Sequence, residues 1–234
     1  MSARVEVGEV LSRTFKVYGE QAGVLIPAAL LVFAPVAIVD GLVRGSGQSL
    51  PLLLLSTAIS LIASFWFQGV VVKAIDDIRD GRRDVDIREL FEAAAPFVPA
   101  LIGAGVLAGL GIALGLILLI VPGLVLATIW SMIAPVIVME RTGAMAAFGR
   151  SRKLVRGNGW PVFGVIVVIF VISLIASFLL GALLLGIASN AVAYGLATLL
   201  SSGLVAPVSA IAVTVMYFEL LGPQVPSAPA TPAA

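Results

Sequence analysis

Three sets of side chains in this sequence could do chemistry, and none of them includes histidine or cysteine, which the chain lacks altogether. That absence removes disulfides, thiolate nucleophiles, imidazole bases and nearly every zinc or haem site, and no cofactor is expected. Carboxylates, Lys/Arg, hydroxyls and backbone remain. The first set is acidic. Three long apolar runs close on Val72-Lys73-Ala74-Ile75-Asp76-Asp77, on Val138-Met139-Glu140 and on Met216-Tyr217-Phe218-Glu219. An acid at a helix C-terminus opposes the helix dipole by a few tenths of a kcal/mol up to about 1 kcal/mol unless a cation compensates. Arg13, Arg88 and Arg150 are the expected partners, giving a ring of acid–base clasps with Asp77, Glu140 and Glu219. The same acids could instead hold a coupling ion or stay unpaired.

The second set is uncharged. Ser56, Ser60, Ser64 and Gln68 recur every four residues, as do Asn190, Tyr194, Thr198 and Ser202, and this spacing puts each set on one helix face turned away from lipid. Two readings stay open: interhelical hydrogen bonds worth about 0.6 kcal/mol each, or a semi-polar path for a neutral or zwitterionic solute. The third set is basic. Arg150, Arg152, Lys153 and Arg156 lie within seven residues, and a cation near an anionic lipid surface is worth about 1 kcal/mol. Anionic headgroups or a protein partner are the two occupants this charge predicts.

The elements that must position these groups are defined by missing charge. Between Glu92 and Glu140 lie 47 uncharged residues, and between Arg156 and Glu219 lie 62. One crossing needs about 20 apolar residues, so each stretch crosses a bilayer twice and turns without a charge. With 60% hydrophobic and 12% charged residues, a soluble globule is excluded. A net charge of +1 gives no reason to expect nucleic acid.

Six spans are predicted near 22–43, 51–73, 97–120, 124–140, 161–187 and 190–218. The third and fourth are expected to meet at Val121-Pro122-Gly123, and the fifth and sixth around Ile187-Ala188-Ser189-Asn190. Of 14 Lys and Arg, three precede the first span, five lie between the second and third, and five between the fourth and fifth, with Arg44 the exception. This positive-inside bias predicts a multi-pass protein of the cell membrane with both termini cytoplasmic. No cleavable signal precedes the first span, which is expected to be retained.

Each odd-numbered span is preceded by an amphipathic segment expected to lie in the headgroup plane. Residues 1–21 form the first, with Val7, Val10, Leu11, Thr14, Val17 and Tyr18 on one face. Ile87, Leu90, Phe91 and Ala94 mark the second, where Asp86 and Glu89 resemble a capping box. Ala144, Phe148, Ser151 and Val155 mark the third, ended by Gly157. The predicted fold is therefore all-α: an N-terminal interfacial helix (1–21), a six-span membrane domain (22–221) with three interfacial helices and a threefold hairpin repeat, and a disordered Pro/Ala-rich tail (222–234). Gly105/Gly109 and Gly111/Gly115 in the third span predict close packing against a neighbour or a second copy. Pro27, Pro35, Pro135 and Pro207 predict kinks.

Pro122-Gly123, Trp130, Pro135, Glu140, Ala147, Arg150-Ser151, Leu154, Gly157 and Trp160 together resemble the membrane domain attached to some glycerophosphoryl diester phosphodiesterases, and related free-standing six-helix bacterial membrane proteins of unassigned function. Val7-Gly8-Glu9-Val10-Leu11 with Thr14-Phe15, and Tyr217-Phe218-Glu219, are similar too, although Leu221 stands where that family commonly has Arg. In such enzymes the activity belongs to a soluble barrel with catalytic histidines, so the resemblance implies a membrane module and no enzymatic activity. The expected function is a non-enzymatic scaffold or accessory module at the inner leaflet. The alternative is a passive transporter or lipid translocator using the polar stripes. An intramembrane hydrolase would need a base beside a hydroxyl, and the lysines Lys16, Lys73 and Lys153 are all expected at the surface.

Overall fold

A computed structural model describes residues 5–45, 49–80, 86–187 and 190–222, the side chains at 185 and 187 excepted. The expected tail beyond 222, the middle of the 187–190 turn, the centre of the outer loop after Arg44, and Arg82 and Arg83 lie outside the described residues. The described residues form nine α-helices and a 3₁₀ turn, with no strand. In chain order these are α1 (Val7–Gly45), α2 (Leu50–Arg79), α3 (Ile87–Ala94), α4 (Val98–Leu118), α5 (Ile120–Ile129), α6 (Ile133–Met139), α7 (Ala144–Val155), α8 (Gly159–Ile187) and α9 (Ala191–Leu221). Six helical runs are long and apolar enough to cross a membrane, the fourth being α5 and α6 together.

Three boundaries differ from the sequence-based expectation. The interfacial helix expected over 1–21 is not separate in its described part, because α1 runs unbroken from Val7 to Gly45. A change in hydropathy near Ala22 does not interrupt a helix, since only a lost hydrogen bond or a steric conflict does so. At 39 residues α1 is about 58 Å long, nearly twice the hydrocarbon thickness of about 30 Å. Its first turns therefore project beyond the apolar layer. Secondly, the second hairpin turns at Leu119, whose backbone is extended, and not at Val121-Pro122-Gly123. Proline is tolerated in the first turn of a helix, where its missing N–H has no partner to lose, and Pro122 sits there in α5. Glycine is required where the chain doubles back. A Cβ on Gly115 would lie 2.9 Å from the Cα of Gly123. Thirdly, the fourth span is broken between Ile129 and Ile133.

The three hairpins also differ in how they begin. The first has no joint, the second passes from α3 into α4 through a 3₁₀ turn at Ala95–Phe97, and the third turns at Gly157, whose φ of 92° favours glycine. Asp86 caps α3 by accepting a hydrogen bond from the Arg88 N–H at 3.1 Å.

Helices α1 and α9 pack antiparallel along their length. Arg13 lies beside Glu219, Leu30 fills the notch of Gly203, and Ala37 and Gly41 meet Gly195 and Ala191. Helix α2 packs against α1, α4 and α9, and α8 lies on the far side of α9. Burial is concentrated at one end of the bundle. Val70, Val71, Val72 and Ile75 of α2, every residue of α6 from Ile133 to Val138, and Ile211 to Tyr217 of α9 form the core there with Leu90 and Ala94 of α3 and Ala147 and Val155 of α7. Both ends of the described chain lie at this end too. We call it the charged end. Towards the other end the helices expose large apolar side chains, among them Leu42, Leu54, Ile117, Leu118, Leu183 and Val192. Such a surface is costly in water and natural in lipid.

Of the α4 glycines, Gly105 and Gly111 serve as notches. A Cβ on Gly105 would fall inside the Phe65 ring, and one on Gly111 would lie 2.6 Å from the Trp130 ring, whereas Gly109 faces open space. Gly105→Ala should therefore overpack the α2–α4 contact and cost about 1–3 kcal/mol. Gly109→Ala should be neutral or slightly stabilising, since alanine is the better helix former by up to about 1 kcal/mol. Thermal unfolding of both variants in detergent checks this, and equal midpoints would contradict it.

Candidate functional site

The charged end gathers the acidic and basic residues around α7. Glu140 follows α6 at its C-cap, and the chain then reverses through Arg141 at φ 50°, a left-handed conformation rare for a residue with a side chain. The reversal lays α7 back along α6. Arg150 of α7 donates from Nε to both carboxylate oxygens of Glu140 at 2.9 Å, and the Tyr217 hydroxyl of α9 donates to Oε1 at 3.2 Å. Three elements are thus tied to one carboxylate. The Arg150 side chain is 40% exposed, so solvent screens the pair, and its role is geometric more than energetic.

The residue after Arg150 ties α7 to the broken span. Pro135 has no N–H to give the carbonyl of residue 131 and its ring crowds that carbonyl, so the helix is interrupted before α6 and restarts at Ile133. The interruption leaves main-chain groups without helical partners. Ser151, fully buried, donates from Oγ to the Ile129 carbonyl at 2.7 Å and accepts from the Met132 N–H at 3.2 Å. The Trp130 ring packs edge-on against Phe148 of α7, with centroids 5.0 Å apart. Adjacent residues, Arg150 and Ser151, therefore fix α7 to two different parts of the bundle.

The opposite face of α7 meets no acid among the described residues. Arg152, Lys153 and Arg156 are exposed, and among the described residues none of the three is in an ion pair. Beyond them Asn158 is buried and accepts from the Val5 N–H at 3.5 Å, and Trp160 at the start of α8 is 84% exposed. Three other cations of this end, Arg13, Lys73 and Arg79, are engaged. Arg13 contacts Glu9 on its own helix and Glu219 across the α1–α9 seam at 3.7 Å, too long for a hydrogen bond. Lys73 pairs with Asp76 at 3.4 Å, and the Arg79 guanidinium lies 3.8 Å above the Phe218 ring. Arg88 is not in an interhelical clasp: its Nε donates to Glu92 at 2.9 Å, one turn along α3. Asp77 is in no ion pair among the described residues. A partner one turn away costs Arg88 less ordering than one on another helix.

The polar stripes do not form one path. Ser56 donates to Asp40 Oδ1 and Thr198 to Asp40 Oδ2 at 3.1 Å, joining α1, α2 and α9 far from the charged end. Beside them Arg44 stacks over Tyr194, 4.6 Å from the ring centre. Gln68 donates to the Ala210 carbonyl at 3.2 Å. Ser64 is exposed on the outside of the bundle and donates to the Ser60 carbonyl of its own helix. Asn190 caps α9, accepting from the Ala193 N–H at 2.9 Å. Ser60 and Ser202 are half-buried. Asp40 as the meeting point of two stripes was missed in the sequence, although its position between Val39 and Gly41 in an apolar run was the signal. Ser151 was read only as part of an apolar face, where a lone hydroxyl could have pointed to a main-chain partner.

The comparisons with known proteins point to membrane proteins without an assigned activity. A UPF0259 membrane protein of Pectobacterium carotovorum is 33% identical to this chain over 102 residues, which is 44% of this chain and 40% of the relative. The match thus spans about two fifths of the relative's length. No solved structure matches the chain. Neither match names a phosphodiesterase. The family model described as "Domain of unknown function (DUF7847)" matches residues 90–221, a segment that holds Glu140, Arg150, Ser151 and Tyr217. With more than half of its residues covered by that match, this multi-pass chain belongs to the DUF7847 family.

Proposed function

We propose that the protein is a non-catalytic module of the cell membrane, with its charged end and both termini in the cytoplasm, acting as a scaffold or accessory at the inner leaflet. The observation that carries this reading is the two-sided use of α7. One face is locked to the bundle through Arg150 and Ser151, and the other presents Arg152, Lys153 and Arg156 with no acid paired to them among the described residues. A fixed cationic face suits an anionic surface or partner better than it suits catalysis. Ser151 has already committed its hydroxyl to main-chain groups. The charge distribution along the sequence supports the orientation, and the resemblance to the membrane domain joined to glycerophosphoryl diester phosphodiesterases supports a role beside a lipid-active partner.

Because the chain has no cysteine, single-cysteine variants test the reading without background. In intact cells an impermeant thiol reagent should label Gly45→Cys and leave Arg152→Cys unlabelled until the membrane is opened. Ser60→Cys and Ser202→Cys should stay unlabelled from both sides. Labelling of either, with protection by an added solute, would replace the scaffold with a translocator.

A further inference from the structure

We propose that the groove between α5 and α8 binds one anionic glycerophospholipid, its acyl chain in the groove and its phosphate against the outward cations of α7. This deepens the function proposed above and rests on it for the placement of α7 at headgroup level. The groove has a volume of about 430 Å³ and is walled by Leu124, Val125, Thr128 and Ile129 of α5 and by Trp160 and Phe163 of α8. That volume falls within the range of about 300–1,000 Å³ usual for ligand sites. The one hydroxyl in the wall offers nothing to a headgroup, because Thr128 donates to the Leu124 carbonyl of its own helix at 2.8 Å, and the indole N–H of Trp160 is the other polar group of the lining. Away from Trp160 the walls therefore select hydrocarbon.

The α5 wall ends at Ile129, immediately before the fourth span breaks, and Ser151 ties that break to α7. The mouth of the groove is marked by Trp160, packed edge-on against Phe163 at 6.1 Å. An exposed tryptophan of this kind sits at the level where acyl chain gives way to headgroup. Arg156 stands four residues before Trp160, across the Gly157 turn, and Arg152 and Lys153 stand one helical turn earlier on the exposed face. An apolar slot whose mouth, at Gly159 and Trp160, follows within a few residues of chain three exposed cations without acid partners among the described residues is complementary to a lipid with a negative phosphate and no compensating amine. A zwitterionic lipid would bring its own cation to the same place and lose that advantage.

The test is to reconstitute the full chain in nanodiscs of equal phosphatidylglycerol and phosphatidylethanolamine, release it into mild detergent, and weigh retained lipid by native mass spectrometry. One phosphatidylglycerol should be retained over phosphatidylethanolamine by about tenfold or more. Replacing Arg152, Lys153 and Arg156 with Gln should bring the two lipids to parity, while Arg152→Lys with Arg156→Lys should keep the preference. Val125→Trp, which fills the groove and leaves the cations in place, should remove the retained lipid, and Leu124→Trp serves if that variant does not fold. Equal retention of the two lipids by the native chain would overturn the proposal, as would phosphatidylglycerol retention unchanged in the groove-filled variants. Nanodiscs present both faces, so an inverted orientation in cells would defeat the broader reading without altering this result.

Discussion

Ser151→Ala is expected to destabilise the protein by about 2–4 kcal/mol, because it strands two buried main-chain groups at once. A lost side-chain contact inside a membrane bundle averages only about 0.6 kcal/mol, since the alternative state finds other partners. The Ile129 carbonyl and the Met132 N–H have no such choice. Their helical partners are removed by the interruption before Pro135, Met132 is fully buried, and the Ser151 oxygen serves both at 2.7 and 3.2 Å. The predicted result is a large fall in the thermal midpoint in detergent, with α7 becoming sensitive to protease before the rest of the chain. Ser131→Ala is the comparison, since the Ser131 hydroxyl donates only to the Thr128 carbonyl of the same turn and its loss should cost less than about 1 kcal/mol. If the two variants melt alike, Ser151 is not what holds the break.

Gly41→Leu combined with Gly195→Leu should be the other severe change. A Cβ on Gly41 would lie 2.9 Å from the Ala191 carbonyl oxygen, and one on Gly195 would lie 2.9 Å from that of Ala37. Both obstacles are backbone, which cannot rotate out of the way as a side chain can. Even alanine would force α1 and α9 apart, and leucine at each site should cost about 1–3 kcal/mol by overpacking. Separation at this level would also pull Thr198 from Asp40 and Tyr194 from Arg44. Gly181→Leu, a glycine of α8 with open space around it, should leave the thermal midpoint nearly unchanged. Equal behaviour of the two would mean that the α1–α9 seam is looser than its geometry.

The number of crossings was legible because charge is so costly in lipid that its absence alone marks a span. What failed were inferences from local punctuation. Pro122-Gly123 resembles a turn, yet proline fits the first turn of a helix and glycine fits a close crossing, and α5 uses each in that way. The polarity of residues 6–20 suggested a separate helix, but nothing in that segment stops α1. At the charged end residue types were informative and partners only in part: Arg150 reaches Glu140 and Arg13 lies beside Glu219 as expected, whereas Arg88 finds Glu92 on its own helix. Four-residue spacing showed that Ser56, Ser60, Ser64 and Gln68 share a side of α2 without saying what covers each. One meets Asp40, one meets the backbone of α9, and one faces outward. Such pairings depend on how distant segments pack, which no short window of sequence contains.

The turn at Leu119 bears on how the protein is made. Its N–H is already satisfied by the Gly115 carbonyl at 3.0 Å, and the side chains around it, from Ile117 to Val121, are apolar and largely exposed. Helices α4 and α5 can thus enter the bilayer together as a closed pin, carrying no charge and hardly any bare peptide across. A single lysine placed at Leu119 would add to that crossing the cost of carrying a charge through hydrocarbon, a few kcal/mol on insertion scales.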